Sequence, residues 1–216
     1  MSQPIHTILL DWSGTLADDL PFVHRAANQV LSLYRKPTMN IEEFRERFFL
    51  PLRDFYRTIL PEIPLETLDR FYHTAFRFFR PQIPLLPHAA DFLEFCRSQG
   101  LRMILLSTIQ NGHFLDQAKR HGILDYFAEI HTEVADKRVT LCQMRDAGRL
   151  EPELAIFFGD MVHDVEAAHA AGILSGALLT GYDTQAKLEA AHPSFLFADL
   201  SEARAFLEEN GRAAEG

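Results

Sequence analysis

The spacing of hydrophobic positions changes twice along this chain. The segment Ile5 to Leu10 is apolar and partly β-branched and is followed by Asp11 and Gly14, which predicts a buried strand that ends in a turn. From about residue 19 to residue 80 the apolar positions recur at helical spacing only, and prolines interrupt the pattern. Four helices are predicted in this stretch: Leu20–Tyr34, Ile41–Phe49, Pro51–Leu60 and Leu65–Phe79.

After Pro81, Pro84 and Pro87, helical and strand patterns alternate. The predicted helices are His88–Gln99, His113–Arg120, Lys137–Ala147, Val162–Ala171 and Ser201–Glu209. The predicted strands are Leu101–Leu106, a short one around Ile130, Ala155–Phe158 and Leu174–Leu179. This alternation of helices with apolar strands is typical of a doubly wound, Rossmann-like α/β fold, in which helices cover both faces of a parallel sheet. We therefore predict an α/β core of residues 1–17 and 83–216, and an inserted helical cap of residues 18–82.

Candidate functional residues follow three of the predicted strands. In a doubly wound sheet, ligands bind at the carboxyl ends of the strands, near the point where the strand order reverses. Asp11, Ser107 and Asp160 all stand directly after a strand. The sequence thus predicts one crevice that contains all three.

Composition and charge narrow the function classes. A net charge of −9 argues against a nucleic-acid surface, which usually has a basic face. No segment approaches the roughly 18 apolar residues that a membrane span needs. Cys96 and Cys142 lie in helix-like segments without metal-ligand spacing, and we interpret both as reduced thiols of a cytoplasmic protein. The charge is uneven, because residues 18–82 carry about +1 and the rest about −10, which is a mild indication of an anionic substrate. Surface charge for solubility explains the same asymmetry.

Two further carboxylates could join Asp11. Asp160 lies at a strand end, and Asp164 follows one helical turn later on the same side. Carboxylates that converge on one crevice repel each other unless a cation or a proton lies among them, and oxygen ligands with few carboxylates suit Mg²⁺. The alternatives are an Asx-turn at Asp11 and helix capping by Asp160 and Asp164.

Hydroxyl and ammonium groups could bind an anion at the same crevice. Ser107 and Thr108 follow a strand, where hydroxyls and turn N–H groups can bind a phosphoryl oxygen. Lys137 opens a predicted helix and is a candidate anion-binding lysine. Helix capping by the two hydroxyls and a solvated lysine are the alternatives.

The order of these residues resembles that of the haloacid dehalogenase superfamily. The matching segments are Asp11-Trp-Ser-Gly-Thr-Leu16, Leu106-Ser107, Lys137 and Gly159-Asp-Met-Val-His-Asp164. The resemblance covers nearly the whole chain, and the helical insertion is similar to the small cap of the phosphoglycolate phosphatase-like branch. Phe49-Leu-Pro-Leu-Arg53-Asp-Phe resembles the loop of that branch that closes over the substrate.

The resemblance implies a two-step hydrolysis of a small phosphorylated metabolite. In the first step Asp11 attacks phosphorus, while Mg²⁺ and Lys137 neutralise the developing charge; water then hydrolyses the aspartyl-phosphate. The implied metal ligands are Asp11, the backbone carbonyl of Ser13, Asp160 and Asp164. The implied phosphate- or substrate-binding residues are Gly14, Thr15, Ser107, Thr108, Lys137 and Arg53.

Ser13 departs from the pattern of the family's phosphatases, which have a second aspartate there as general acid and base. A serine carbonyl can still bind Mg²⁺, but its hydroxyl does not shuttle protons comparably at neutral pH. Loss of general acid–base catalysis typically costs about 10²–10⁴ in rate.

Four interpretations follow. A phosphatase could use a substrate with a good leaving group, or another proton donor such as His24, His163 or a cap residue.

Cleavage of a C–P bond needs a cap lysine for an imine, and the cap has only Lys36, while Arg53 occupies the loop position and cannot form an imine. Metal-free dehalogenation is disfavoured by the paired Asp160 and Asp164. The fourth interpretation is a catalytically impaired binding or regulatory protein. The oligomeric state is open.

Overall fold

A parallel sheet of six strands runs through the protein. The structure is a computed structural model that describes residues 5–79 and 83–214. The strands are β1 (Thr7–Leu10), β2 (Arg102–Leu106), β3 (Glu129–His131), β4 (Ala155–Gly159), β5 (Leu174–Leu178) and β6 (Phe195–Phe197). They are ordered β3-β2-β1-β4-β5-β6, and every neighbouring pair is parallel. The predicted α/β, Rossmann-like fold class is confirmed.

Helices connect the strands and form the insertion. In chain order they are α1 (Leu20–Leu33), α2 (Ile41–Arg47), α3 (Leu52–Ile59), α4 (Leu65–Phe79), α5 (Ala89–Ser98), α6 (Asn111–His121), α7 (Lys137–Asp146), α8 (Val162–Ala171), α9 (Gln185–Ala190) and α10 (Leu200–Ala214). Among these, α1 to α4 lie between β1 and β2, as the sequence predicts. In the described residues, no helix has both the length and the apolar character that crossing a bilayer requires.

Alternate residues of β1 pack on opposite faces of the sheet. Leu9 belongs to a cluster with residues of α7 and α8, such as Leu141 and Ala168. Ile8 and Leu10 belong to the larger cluster on the other face, which α5 and α10 help to form. This alternation is what the two-residue period of a strand demands when both faces are covered.

The strand order reverses at β1. The chain first builds β2 and β3 on one side of β1 and then crosses over to build β4, β5 and β6 on the other. Loops that leave β1 and β4 at their carboxyl ends therefore diverge, and the crevice between them is the expected ligand site.

Two segments of chain pair where the insertion leaves and rejoins the core. Ala17 forms an antiparallel bridge with Leu85, the Asp18 N–H donates to the Pro84 carbonyl (3.0 Å), and the Leu86 N–H donates to the Leu16 carbonyl (2.8 Å). These bonds fix the root of the insertion next to β1. The predicted boundary between residues 82 and 83 falls at the edge of residues 80–82, which lie outside the described residues.

A second set of contacts joins the insertion to the far side of the crevice. The Arg45 guanidinium donates to the carbonyls of Leu179 (3.0 Å) and Asp183 (3.3 Å). In the other direction, Lys187 Nζ donates to the carbonyls of Arg45 (2.7 Å) and Phe48 (3.4 Å). The end of α2 is thereby held over the loop that follows β5.

Two elements were not predicted. They are the six-residue helix α9 and the three-residue strand β6. Both are shorter than the windows in which helical or strand periodicity can be recognised. Phe197 and Leu188 are nevertheless buried, because tertiary packing supplies the contacts that define these elements.

Candidate active site

Asp11 lies one residue beyond β1 and continues its ladder. Its N–H donates to the Phe158 carbonyl of β4 (3.0 Å), so the backbone is fixed on the β4 side at the strand end. The Asp11 side chain lies at the floor of a cavity, and the residue is only 5% exposed. Its Oδ1 atom lies 2.7 Å from Lys137 Nζ, and the two groups form an ion pair. This oxygen therefore meets the Lys137 ammonium inside the cavity, where a metal ion or a substrate could also approach it.

Asp160 follows β4 and is completely buried. Its Oδ1 accepts from the Thr15 hydroxyl (3.2 Å), and its Oδ2 accepts from the Tyr182 N–H (2.7 Å). The glycines of the β1 and β5 loops, Gly14 and Gly181, leave room for it, because a Cβ at either position would lie less than 3.0 Å from the Asp160 carboxylate. The loops after three strands therefore fix one carboxylate.

Lys137 and Asp164 complete the charged group. Lys137 is the first residue of α7 and is 3% exposed, so it is not the solvated lysine of the alternative interpretation. Its Nζ lies 2.7 Å from Asp11 Oδ1 and 2.6 Å from Asp164 Oδ1. Asp164 also accepts weakly from the Met161 N–H through Oδ2 (3.2 Å), so it caps α8 as well as pairing with Lys137.

The electrostatics of this group favour a bound cation. Asp11, Asp160 and Asp164 place ligand atoms within 4.8 Å of one another, and the described residues supply one ammonium, that of Lys137, between two of them. Three carboxylates and one ammonium leave two negative charges in a buried site. Burial raises the pKa of Asp160 well above its usual value, and repulsion by Asp11 and Asp164 raises it further. Burial would lower the pKa of Lys137, but the two carboxylates outweigh it and raise that pKa.

The donor set therefore fits a hard divalent cation. The ligands are oxygens, they converge from separate elements, and a charge of +2 would balance the excess. The buried Asp11 carboxylate, which is paired with Lys137 in the cavity, is the observation that an Asx-turn alone does not explain.

Ser13 contacts a carboxyl that the sequence-based prediction missed. Asp19 is 3% exposed, forms a side-chain hydrogen bond with Ser13, and accepts one from the Tyr182 hydroxyl (3.0 Å). Burial raises the pKa of Asp19 to about 7 despite these two bonds, and the nearby Asp11 carboxylate adds to the rise. The cavity thus has a carboxyl group beside the serine that stands in the aspartate position.

The cavity above Asp11 has a volume of about 660 Å³. Its floor includes Asp11, Ser13 and Lys137, and Thr108 lies in its rim. Its roof comes from the insertion and includes Val23, Phe48 and the segment Leu50 to Leu52; core loops close the side with Met161 and Tyr182. The volume is in the range of small-molecule sites.

Other predicted site residues lie outside the cavity lining. Thr15 is buried behind the floor with its hydroxyl on Asp160, and Gly14 accepts from the Thr180 hydroxyl through its carbonyl (2.7 Å). Ser107 is 1% exposed, and its Oγ accepts from the Ile109 N–H (3.3 Å). Arg53 is exposed on α3 and does not line the cavity. Thr15 and Gly14 help to position Asp160. Direct binding of phosphate or substrate by Gly14, Thr15, Ser107 and Arg53 stays a prediction.

Of the alternative proton donors and the cap lysine, His163 alone lines the cavity among the described residues. His24 Nε2 lies 2.7 Å from the Met39 carbonyl inside the insertion and does not line the cavity. His163 does line it, but burial lowers the pKa of His163 to about 3, so its ring is neutral at pH 7. Lys36 pairs with Glu62 (2.6 Å) at the surface and does not line the cavity. Position thus argues against an imine mechanism.

Three of the residues that sequence reasoning missed share a recognisable signal, which is their position after the carboxyl end of a strand. Thr180, Gly181 and Tyr182 follow β5 at its carboxyl end, just as Asp11 and Asp160 follow β1 and β4. The rule that identified the other strand ends applies here as well. Asp19 lacked such a signal, because its approach to Ser13 depends on how the chain turns after Leu16.

The chain is similar to known proteins over most of its length. The profile described as haloacid dehalogenase-like hydrolase matches residues 8–178. A curated relative, phosphoglycolate phosphatase of Synechococcus elongatus, is 28% identical over 206 residues, which are 92% of this chain and 95% of that protein. Phosphoglycolate phosphatase 1 of Pseudomonas aeruginosa is 26% identical over 208 residues, which are 89% of this chain and 76% of that protein. A solved structure of a haloacid dehalogenase-like hydrolase family protein from Streptococcus pneumoniae has a TM-score of 0.81 and 24% identity, and the match covers 94% of this chain and 98% of the other.

Proposed function

The chain belongs to the haloacid dehalogenase-like hydrolase family, and we propose that it is a Mg²⁺-dependent phosphatase of small phosphorylated metabolites. The observation that carries this proposal is the buried group of Asp11, Asp160, Asp164 and Lys137 at the carboxyl ends of the strands. The names of the relatives support the reaction class. We keep the division into a core of residues 1–17 and 83–216 and a cap of residues 18–82 as part of the proposal, along with a cytoplasmic location.

Asp11 is the proposed nucleophile. Its carboxylate forms a bond to phosphorus while the bond between phosphorus and the ester oxygen breaks, and the ester oxygen leaves as an anion that takes a proton from water to give the alcohol. Water then attacks phosphorus of the aspartyl-phosphate, which releases phosphate and regenerates Asp11. Lys137 holds Asp11 by its 2.7 Å contact and places positive charge where the phosphoryl oxygens would lie.

The carboxylates of Asp11, Asp160 and Asp164, with the Ser13 carbonyl, would hold the metal. Bound Mg²⁺ supplies positive charge against the phosphoryl oxygens. Thr15, the Tyr182 N–H and the two glycines keep Asp160 in place for this role. The roof from the insertion would exclude water during transfer.

Ser13 shapes which substrates can react well. A serine hydroxyl gives the departing oxygen little help as an acid at neutral pH, so the barrier depends more strongly on how stable that oxygen is as an anion. We therefore expect aryl phosphates to turn over faster than alkyl phosphates of similar size.

Hydrolysis of p-nitrophenyl phosphate tests the function. We expect Mg²⁺-dependent release of p-nitrophenolate, loss of roughly 10³-fold or more in Asp11→Asn, and no change in Asp91→Asn, which alters an exposed carboxylate of α5. Equal activity of wild type and Asp11→Asn would refute the nucleophile. Absence of activity in wild type together with activity in Ser13→Asp would instead identify an impaired phosphatase.

A further inference from the structure

Apart from Asp19 beside Ser13, the residues that the insertion contributes to the cavity lining are apolar. The insertion contributes Val23 from α1, Phe48 from the end of α2, and Leu50, Pro51 and Leu52 from the start of α3. Met161 continues this surface from the core. The part of a substrate that projects away from Asp11 therefore meets hydrocarbon.

The described arginines of the insertion lie outside the cavity lining. Arg45 donates to the carbonyls of Leu179 and Asp183, and Arg57 pairs with Asp54 (3.0 Å) on an exposed face. Neither residue lines the cavity, and neither does Arg53. Within the described part of the insertion, the cavity lining contains no lysine or arginine.

The core side of the lining does not compensate for this. Its lysine and arginine are Lys137, which is engaged by Asp11 and Asp164, and Arg138, whose guanidinium binds both oxygens of Asp136 (3.1 and 2.9 Å). Carboxylates of Glu133 and Glu166 also line this side. In the described lining, a second anionic group on the substrate would therefore meet no lysine or arginine that is not already paired with a carboxylate.

The apolar roof is held in place by aromatic packing. Phe48 is 4% exposed, stacks on Phe44 (4.9 Å between centroids) and contacts the rings of Phe55 (5.2 Å) and Tyr182 (5.0 Å). Because Tyr182 belongs to the core loops at the side of the cavity, this packing also joins the roof to the core. The surface is preorganised, so binding apolar groups there costs little ordering of the protein.

We propose that the preferred substrates are phosphate monoesters whose organic part is uncharged and apolar, an alkyl or aryl group that packs against Phe48, Leu52 and Val23. This inference rests on the proposed phosphatase function. It differs from what the names of the relatives suggest, because glycolate carries a carboxylate, for which the described residues of the roof offer no lysine or arginine. The cavity volume of about 660 Å³ accommodates a group larger than glycolate.

A series of alkyl phosphates tests the proposal. Ethyl, propyl, butyl and hexyl phosphate have nearly the same leaving group, so differences in kcat/KM report on contacts with the roof. We expect kcat/KM to rise about three- to fourfold for each added methylene until the cavity is filled. Propyl phosphate should exceed 2-phosphoglycolate, which is similar in size and carries a carboxylate.

A variant pair tests the role of the roof directly. Leu52→Arg places a cation among the apolar residues, and Leu52→Gln is a polar, uncharged control. We expect Leu52→Arg to lower kcat/KM for hexyl phosphate and raise it for 2-phosphoglycolate, each by about tenfold. Leu52→Gln should lower the first value without raising the second.

Binding of non-hydrolysable analogues separates this inference from the proposed function. Calorimetric titration with hexylphosphonate and phosphonoacetate in Mg²⁺ measures affinity without turnover. Tighter binding of hexylphosphonate supports the apolar site even if no ester is hydrolysed, a result that would refute only the phosphatase function. Hydrolysis that depends on Asp11 but is independent of chain length, or faster with 2-phosphoglycolate than with propyl phosphate, would overturn the inference.

Discussion

At the scale of single residues, Lys137 is the cation on which the buried site depends. Its ammonium lies between two carboxylates, and the residue is 3% exposed, so its removal would leave like charges together away from water. The same residue could not be distinguished from a solvated lysine in the sequence, because burial at the start of a helix depends on what packs over it.

Lys137→Met keeps the length of the side chain and removes the charge. We expect the free energy of unfolding, measured by urea denaturation in EDTA, to fall by about 3–5 kcal/mol, since an uncompensated buried charge is costly. Lys119→Met, at an exposed position of α6, should change it by less than about 0.5 kcal/mol. Equal urea midpoints for the two variants would contradict the burial of this ion pair.

Asp19 makes stability depend on pH. Burial raises the pKa of Asp19 to about 7 in the folded state from 3.8 in the unfolded chain, so between these values the folded protein holds a proton that the unfolded chain has released. The contribution of Asp19 to stability is therefore complete below about pH 4 and is lost as pH rises through about 7. In EDTA, the Tm of wild type should fall relative to that of Asp19→Asn between pH 5 and pH 8. A constant difference between the two Tm curves would show that Asp19 does not titrate there.

At the scale of elements, the loops that follow the strands position Asp160. Gly181 lies in the loop after β5, and a Cβ at this position would approach the Asp160 carboxylate to less than 3.0 Å. No choice of residue within the β4 loop could provide this space, because the atoms that limit it belong to the loop after the neighbouring strand β5.

Gly181→Ala should displace Asp160. We expect a loss of about 1–3 kcal/mol in the free energy of unfolding, from overpacking, and weaker Mg²⁺ binding by titration calorimetry. Gly112→Ala is the matched control, since a Cβ there meets nothing within 4 Å. If both substitutions leave Mg²⁺ affinity unchanged, the packing of the β5 loop does not determine the position of Asp160.

At the scale of the whole molecule, a ligand that binds only the folded state stabilises it. With Mg²⁺ at a hundredfold excess over its Kd, the gain is about 2.7 kcal/mol, which corresponds to several degrees in Tm for a chain of this size. We expect this shift in wild type and its loss in Asp160→Ala, measured by thermal denaturation. The fluorescence of Trp12, the residue after Asp11, should report the same titration. A Tm that does not respond to Mg²⁺ in wild type would contradict the metal site.

The sequence by itself determined the fold class and the strands after which the site residues Asp11 and Asp160 lie. Apolar strands that alternate with helices admit few arrangements other than a covered parallel sheet, and residues that follow such strands must meet at one edge. For this reason Asp11 and Asp160 could be placed together before any coordinates, and the helical insertion could be located between β1 and β2. Periodicity was insufficient for α9 and β6, which are too short to show a period.

Only the tertiary structure decided what surrounds Asp11. Sequence could not show that Thr15 turns its hydroxyl to Asp160, that Arg45 is engaged by carbonyls of the β5 loop, or that Asp19 reaches Ser13. These are contacts between residues far apart in the chain or around a turn, and each depends on the direction of a side chain after packing. Charge and burial at the site, and the apolar character of its roof, follow from that packing and not from the order of residues.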